Sequence, residues 1–323
     1  MSRATYFQQV KPEFITLANK FRLLISKSDA AITWRACSIS VPVSRVPIAA
    51  AVQSRPCFPN STSSRLISSA RGRDAQCWAS ATTAPGKAHT YDGKQPYQPA
   101  RALRLDEIPR LLGDYERATR NALAAGFDGV QIHAANGYLI DEFLRDGANH
   151  REDEYGGSPE NRIRLLVEVT ERVAEVAGAD RTSVRLSPNG VSQGVEDSDP
   201  PAVFLPAARE LDRIGIAFLE LREQGPDGTF GSSDQPKVSP LVRPAFKRPL
   251  VLNQDFTLET AQAALASGLA DAVSFGRPFI SNPDLVERLR TGAPLAADDM
   301  ATWYTQGAEG YIDYPVLERR AAA

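Results

Sequence analysis

Between positions 133 and 138 the chain places an imidazole (His133), a carboxamide (Asn136) and a phenol (Tyr138). These are hydrogen-bond donors plus one proton source, and they follow directly on a short apolar segment, Gly129-Val130-Gln131-Ile132, that reads as a strand. The C-terminal end of such a strand is where a parallel α/β fold keeps its chemistry. Zinc is the poorer reading: His150 is seventeen positions beyond His133, and no third ligand has suitable spacing.

The elements that would position this set are legible from about residue 100 onward. Residues 105–125 carry apolar side chains at Ile108, Leu111, Leu112, Tyr115, Ala118 and Ala122, the spacing of an amphipathic helix, which Gly126 stops. Ser158-Pro159 joins a capping residue to a first-turn proline, and Leu165, Leu166, Val169 and Val173 give the buried stripe of the helix that follows. A strand is expected over 182–186. A helix opened by Asp199-Pro200 comes next, with Phe204, Leu205, Ala208 and Leu211 inward. Strands follow over 217–221, 249–252 and 272–275. Thr257 caps one helix that ends near Gly268; Asn282-Pro283 opens a last one with Leu285, Val286 and Leu289 inside and Gly292 after it.

Five strands, each followed by a helix or a functional loop, fit the second part of a (β/α)₈ barrel, strands four to eight. The first three strands would have to come from residues 1–100. The candidates there are 21–26, 36–43 and 46–52, crowded too closely for helices between them. The expected fold class is therefore α/β, a (β/α)₈ barrel incomplete or irregular in its first three strands.

Composition separates the same two regions. The chain has 323 residues and a net charge of −2, which gives no global pull toward nucleic acid or an anionic membrane. Residues 1–80 hold 11 Lys+Arg against three acids, and only one of the 22 glycines, Gly72. All three cysteines, Cys37, Cys57 and Cys77, fall there too, with no CxxC pair. So few cysteines suit a reducing compartment, and no apolar run approaches the ~20 residues a bilayer requires.

Further motifs accompany the 133–138 cluster. They are Ala84-Pro85-Gly86-Lys87, the block His133–Ser158, Arg185-Leu186-Ser187-Pro188, Phe275-Gly276-Arg277-Pro278-Phe279 and Gly307-Ala308-Glu309-Gly310-Tyr311. In kind, order and separation they resemble the old yellow enzyme family, most closely its bacterial alkene, nitroester and maleimide reductases. The likeness runs from about residue 83 to 315, leaving residues 1–82 as an atypical basic, Ser-rich segment and 316–323 as a tail. Residues 1–80 lack the family's first-strand residue over the flavin and its third-strand Gln-Leu-Trp-His-Val-Gly-Arg signature. A shifted reading frame, a targeting segment and a diverged or spliced terminus remain open as explanations.

The resemblance implies FMN as cofactor and NAD(P)H as co-substrate. It implies that His133 and Asn136 hold the carbonyl or nitro oxygen of a small enone or nitro substrate, and that Tyr138 protonates the α-carbon. Arg185 would lie near the pyrimidine end of the flavin. Gly276 and Arg277 would take the phosphate, a role that also suits a guanidinium beside a backbone N–H at a barrel strand end. Gln254 and Asp255 would add backbone donors, and Tyr304 would pack near the flavin edge. No metal is expected, nor a nucleic-acid or membrane partner. The expectation is a cytoplasmic monomer or homodimer. Two rival readings stay open: a barrel remnant unable to hold FMN, and a flavin-free module that binds a phosphate ligand.

Overall fold

A computed structural model describes residues 23–26, 36–39, 87–90, 93–96, 101–192, 194–229, 231–303, 308–310 and 312–317. Its contacts divide the chain into two compact units, residues 36–250 and residues 1–35 with 251–323. The strand candidate at 46–52 and the site candidate Tyr304 lie outside the described residues.

In the 36–250 unit, parallel strands alternate with helices. β2 (Ala36–Ile39), β5 (Gly129–Ala134), β6 (Thr182–Leu186) and β7 (Phe218–Arg222) lie side by side, all parallel. The crossovers are α1 (Ile108–Ala124) before β5, α4 (Arg164–Ala177) before β6 and α5 (Pro200–Ile214) before β7, with α1 packed beside α4 and α4 beside α5. This is the strand–helix repeat of a (β/α)₈ barrel, and the bounds of β6 match the residues expected from sequence.

Period-two alternation divides the strands into two faces. Val130, Ile132, Ala134, Val184, Leu186, Leu219 and Leu221 point one way and are wholly buried. The opposite face carries Gln131, His133, Ser183, Arg185, Glu220 and Arg222. On the helix side, Leu111, Tyr115, Ala122, Leu165, Leu166, Val169, Val173, Phe204 and Leu211 are buried, which accounts for the stripes read from sequence; Leu112, Ala118 and Leu205 are half-buried at the stripe edges. Capping follows expectation. Ser158 Oγ accepts from Asn161 N (3.4 Å) and Asp199 Oδ1 from Ala202 N (3.3 Å).

Two elements of this unit were not expected. A hairpin pairs β3 (Lys87–Thr90) with β4 (Gly93–Pro96). The six-residue α2 (Leu139–Leu144) starts directly after Tyr138. It is followed by the single-turn α3 (Pro159–Arg162), and later by α6 (Ser239–Ala245).

In the other unit, β8 (Leu250–Asn253, starting at the boundary) runs parallel to β9 (Ala272–Phe275), joined by α7 (Leu258–Ser267) between its Thr257 cap and the left-handed Gly268. β1 (Leu23–Ser26) pairs with β9 in the antiparallel sense. An eight-stranded barrel has parallel neighbours throughout, so this contact is one place where the first strands depart from the regular pattern. After α8 (Pro278–Ser281), the last helix, α9 (Leu285–Thr291), corrects an expectation: Val286 is exposed, and the inward position belongs to Arg288. That guanidinium satisfies its charge with Asp284 Oδ1 (2.7 Å), Pro294 O (2.7 Å) and Pro315 O (3.0 Å).

Candidate functional site

His133 is half-buried near the C-terminal end of β5. Its ring meets the Tyr138 ring edge to face, with centroids 5.1 Å apart and planes at 65°. Tyr138 forms the N-cap of α2 and is 50% exposed. A phenol there is held on one side by the imidazole and wetted on the other.

The loop between them is held by a buried network. Asn136 has φ 61° and Gly137 φ 74°, two successive left-handed residues. Glycine adopts this conformation without a steric penalty, and Asn is among the few other residues that tolerate it. Asn136 N donates to Ser187 Oγ (2.7 Å) and Gly137 N to Asp141 Oδ2 (2.8 Å); Ser187 Oγ in turn donates to Asp141 Oδ2 (3.3 Å). Asp141 also accepts from Arg145 Nε (2.9 Å), and both side chains are 1% exposed. Arg145 Nη2 donates to Ser187 O, and the guanidinium lies 5.1 Å over the Phe204 ring. One carboxylate thus joins the start of α2, the loop and the end of β6 into a single rigid corner. Arg162 braces the far end of α2: Nη1 donates to Leu144 O (2.9 Å) and Asp197 Oδ2 (2.5 Å).

The parallel register aligns His133, Arg185 and Glu220 in one row across β5, β6 and β7. Glu220 is buried, with Oε2 accepting from Gln131 Nε2 (2.9 Å) and Oε1 lying 3.3 Å from Arg185 Nε. A buried carboxylate beside it fixes the Arg185 cation on the polar face. On the same face, Arg222 Nη1 donates to Asn136 Oδ1 (2.7 Å). Sequence reasoning missed Glu220, Arg222, Ser187, Asp141 and Arg145. The first two carried a signal: in Leu219-Glu220-Leu221-Arg222, charges alternate with apolar residues, which puts both charges on the face away from the helices.

The remaining candidates lie at the ends of β8 and β9. Gln254 (φ 102°) and Asp255 (φ 54°) both have positive φ although neither is glycine. Such conformations cost about 1–3 kcal/mol each and persist where the surroundings enforce them, often at ligand-binding turns. Asp255 accepts from Arg277 Nη2 (2.5 Å) and from Gln254 Nε2 (2.8 Å), and the Asp255 and Arg277 side chains are each 28% exposed. Gly276 precedes Arg277 at the exit of β9, and Phe279 N closes a turn onto Gly276 O (3.0 Å). Among the described residues, no group of three His, Cys, Asp or Glu is placed to hold a metal ion.

A strand–helix repeat that presents an imidazole, a carboxamide and a phenol at one strand end, beside a fixed guanidinium, is the build of an α/β barrel with its polar groups at the C-terminal strand ends. Comparison gives the family. Residues 62–296 match the NADH:flavin oxidoreductase / NADH oxidase family, and the chain belongs to it, the old yellow enzyme family. It is 43% identical over 223 residues to a probable flavin mononucleotide-dependent alkene reductase of Leishmania infantum, covering 69% of this chain and 60% of that one. It is 40% identical over 226 residues to 12-oxophytodienoate reductase 2 of Arabidopsis thaliana, covering 70% and 60%. Among solved structures it is similar to the old yellow enzyme homologue from Zymomonas mobilis, at 68% identity and a TM-score of 0.73, covering 74% of this chain and 68% of that one. The chain spans about 60% of the length of both of these reductases, from Leishmania infantum and Arabidopsis thaliana, and 56% of that of a further curated relative, putative 12-oxophytodienoate reductase 12 of rice.

Proposed function

We propose that the chain is an FMN-dependent oxidoreductase that reduces activated C=C bonds, in α,β-unsaturated carbonyls and maleimides, or nitroesters, at the expense of NAD(P)H. The observation that carries this reading is the corner at the end of β5, where His133, Asn136 and Tyr138 stand together in a member of this family. The residues suit the cofactor. Arg277, held by Asp255, offers a guanidinium to a phosphate, which can replace the carboxylate as its partner. The turn at Gln254 and Asp255 and the backbone at Gly276 add to that end, and Tyr304 is assigned to the flavin edge. Arg185 is a fixed cation for the pyrimidine end, where charge gathers on reduction.

Bound FMN would supply the redox chemistry, accepting hydride from NAD(P)H and passing it to the alkene. The protein orients and polarises. His133 and Asn136 donate to the substrate oxygen, on which negative charge grows as the alkene is reduced, so these bonds strengthen in the transition state. Tyr138 gives its proton to the α-carbon, and its exposed side allows reprotonation from water. We place the enzyme in the cytoplasm as a monomer or homodimer acting on small molecules, without nucleic-acid or membrane partners. What supports this is the net charge of −2, which gives no pull toward nucleic acid or an anionic membrane.

The test is to load the full chain with FMN and add NADPH and N-ethylmaleimide. NADPH consumption that depends on the maleimide is expected, and a folded, flavin-loaded protein that consumes none would sink the proposal. Replacing Tyr138 by Phe is expected to slow the step that follows hydride transfer by about 10²–10⁴-fold while leaving flavin reduction by NADPH unchanged in stopped-flow absorbance. Equal losses in both half-reactions would remove the proton-donor role.

A further inference from the structure

A carboxamide presents an acceptor at one end and donors at the other, and its remaining partners decide which end meets a ligand. For Asn136 the deciding partner is Arg222. The guanidinium has donors only, and its Nη1 lies 2.7 Å from Asn136 Oδ1. It therefore takes the oxygen end and turns the Nδ2 end away from itself. Arg222 is itself constrained: it is buried near the end of β7, and Nη1 is also 3.5 Å from Ser192 Oγ. The Asn136 backbone is fixed as well, by its φ of 61° and by its N–H on Ser187 Oγ. With the backbone and Oδ1 both held, the flipped carboxamide would put an NH₂ group against a guanidinium, donor against donor.

We infer that Arg222 is a positioning residue that sets the polarity of the Asn136 carboxamide, so that the site selects ligands by an acceptor oxygen of a carbonyl, imide or nitro group. A flipped Asn136 would instead favour ligands that donate, such as alcohols and amines. The ligand part of this inference rests on the assignment of Asn136 as a substrate donor; the contact between Arg222 and Asn136 does not.

The experiment uses Arg222→Met, Arg222→Lys, Asn136→Gly and the double variant Asn136→Gly/Arg222→Met. Glycine is chosen at 136 because it keeps the left-handed backbone without strain. The first measurement requires no flavin: the side-chain amide resonances of Asn136 in ¹⁵N-labelled full-length chain, assigned by their loss in Asn136→Gly. Arg222→Met is expected to shift them and Arg222→Lys to restore them in part. Resonances unmoved by Arg222→Met would overturn the inference.

The second measurement is calorimetric binding of succinimide, an imide without a reducible C=C bond, to the FMN-loaded protein. Arg222→Met and Asn136→Gly should each weaken binding about tenfold, the worth of one hydrogen bond. The double variant should lose no more than either single one, because both remove the same interaction. Additive losses of about a hundredfold, or full affinity in Arg222→Met alongside a loss in Asn136→Gly, would overturn the inference. Full affinity in Asn136→Gly would instead overturn the assignment of Asn136 as a substrate donor, and with it the ligand part, while the amide resonances still judge the contact.

Discussion

The two sets of candidate residues are built from the same kinds of groups and held in opposite ways. At the end of β5, the Asp141–Arg145 pair is sealed from water and carries bonds from Gly137, Ser187 and the end of β6. At the ends of β8 and β9, Asp255 and Arg277 face each other over a quarter exposed. A buried pair cannot release either partner without stranding a charge, so it serves to hold geometry. A half-exposed pair contributes little stability and can exchange a carboxylate for another anion at small cost. On the proposed function, the difference is that between a corner that positions donors and a turn that accepts and releases a ligand.

The strongest way to break this contrast is to remove Asp141. Asp141→Leu would leave the Arg145 charge buried against the carbonyls of Ser187 and Gly190 and strip Gly137 N of its acceptor. A loss of about 3–5 kcal/mol is expected in urea unfolding, a large share of the stability of an ordinary domain. A loss below about 1 kcal/mol would mean that water reaches the corner and that it is no clamp. Arg277→Met is the complementary test. Unfolding stability should change by less than about 1 kcal/mol, while FMN affinity, followed by flavin fluorescence, should fall about ten- to a hundredfold through loss of a charge-assisted bond to phosphate. Unchanged flavin affinity would remove Arg277 from the phosphate role.

The same contrast explains what could be read in advance. Local rules place the helix starts at Ser158, Asp199 and Thr257 and the strand over 182–186, because a cap or an apolar run depends on residues next to it in sequence. His133, Asn136 and Tyr138 were legible as a set because they are close in the chain. Their supports were not: Asn136 meets Ser187 and Arg222, 51 and 86 positions away, and Gln131 meets Glu220 at a separation of 89. The error at Val286 has the same origin, since Arg288 is inward because of carbonyls at Pro294 and Pro315 that no helical pattern reveals. The short α2 escaped because its six residues follow a tyrosine, which offers no side-chain cap to announce a helix start.

The smallest expected effect lies at the entry to α1. Glu107 accepts from both guanidinium ends of Arg101 (2.6 and 2.7 Å) and from Arg104 N (2.9 Å), and these bonds, that to Arg101 first, hold its carboxyl down at about 2. The folded state thus binds this proton less readily than the unfolded chain, whose value is 4.5. Stability from this group is fully present above the unfolded value and is lost as pH falls from there through about 2. Arg101 is 43% exposed, so solvent screening reduces the contribution to about 0.5–1 kcal/mol. Glu107→Gln should therefore lower stability by about that amount at pH 7. The gap from the parent chain should close as unfolding is followed downward from pH 5 to pH 2.5, because the parent loses what the variant never had. A gap that stayed constant with pH would assign the loss to the geometry of the turn rather than to its charge. A gap matching that of Asp141→Leu would erase the distinction between exposed and buried pairs on which the comparison rests.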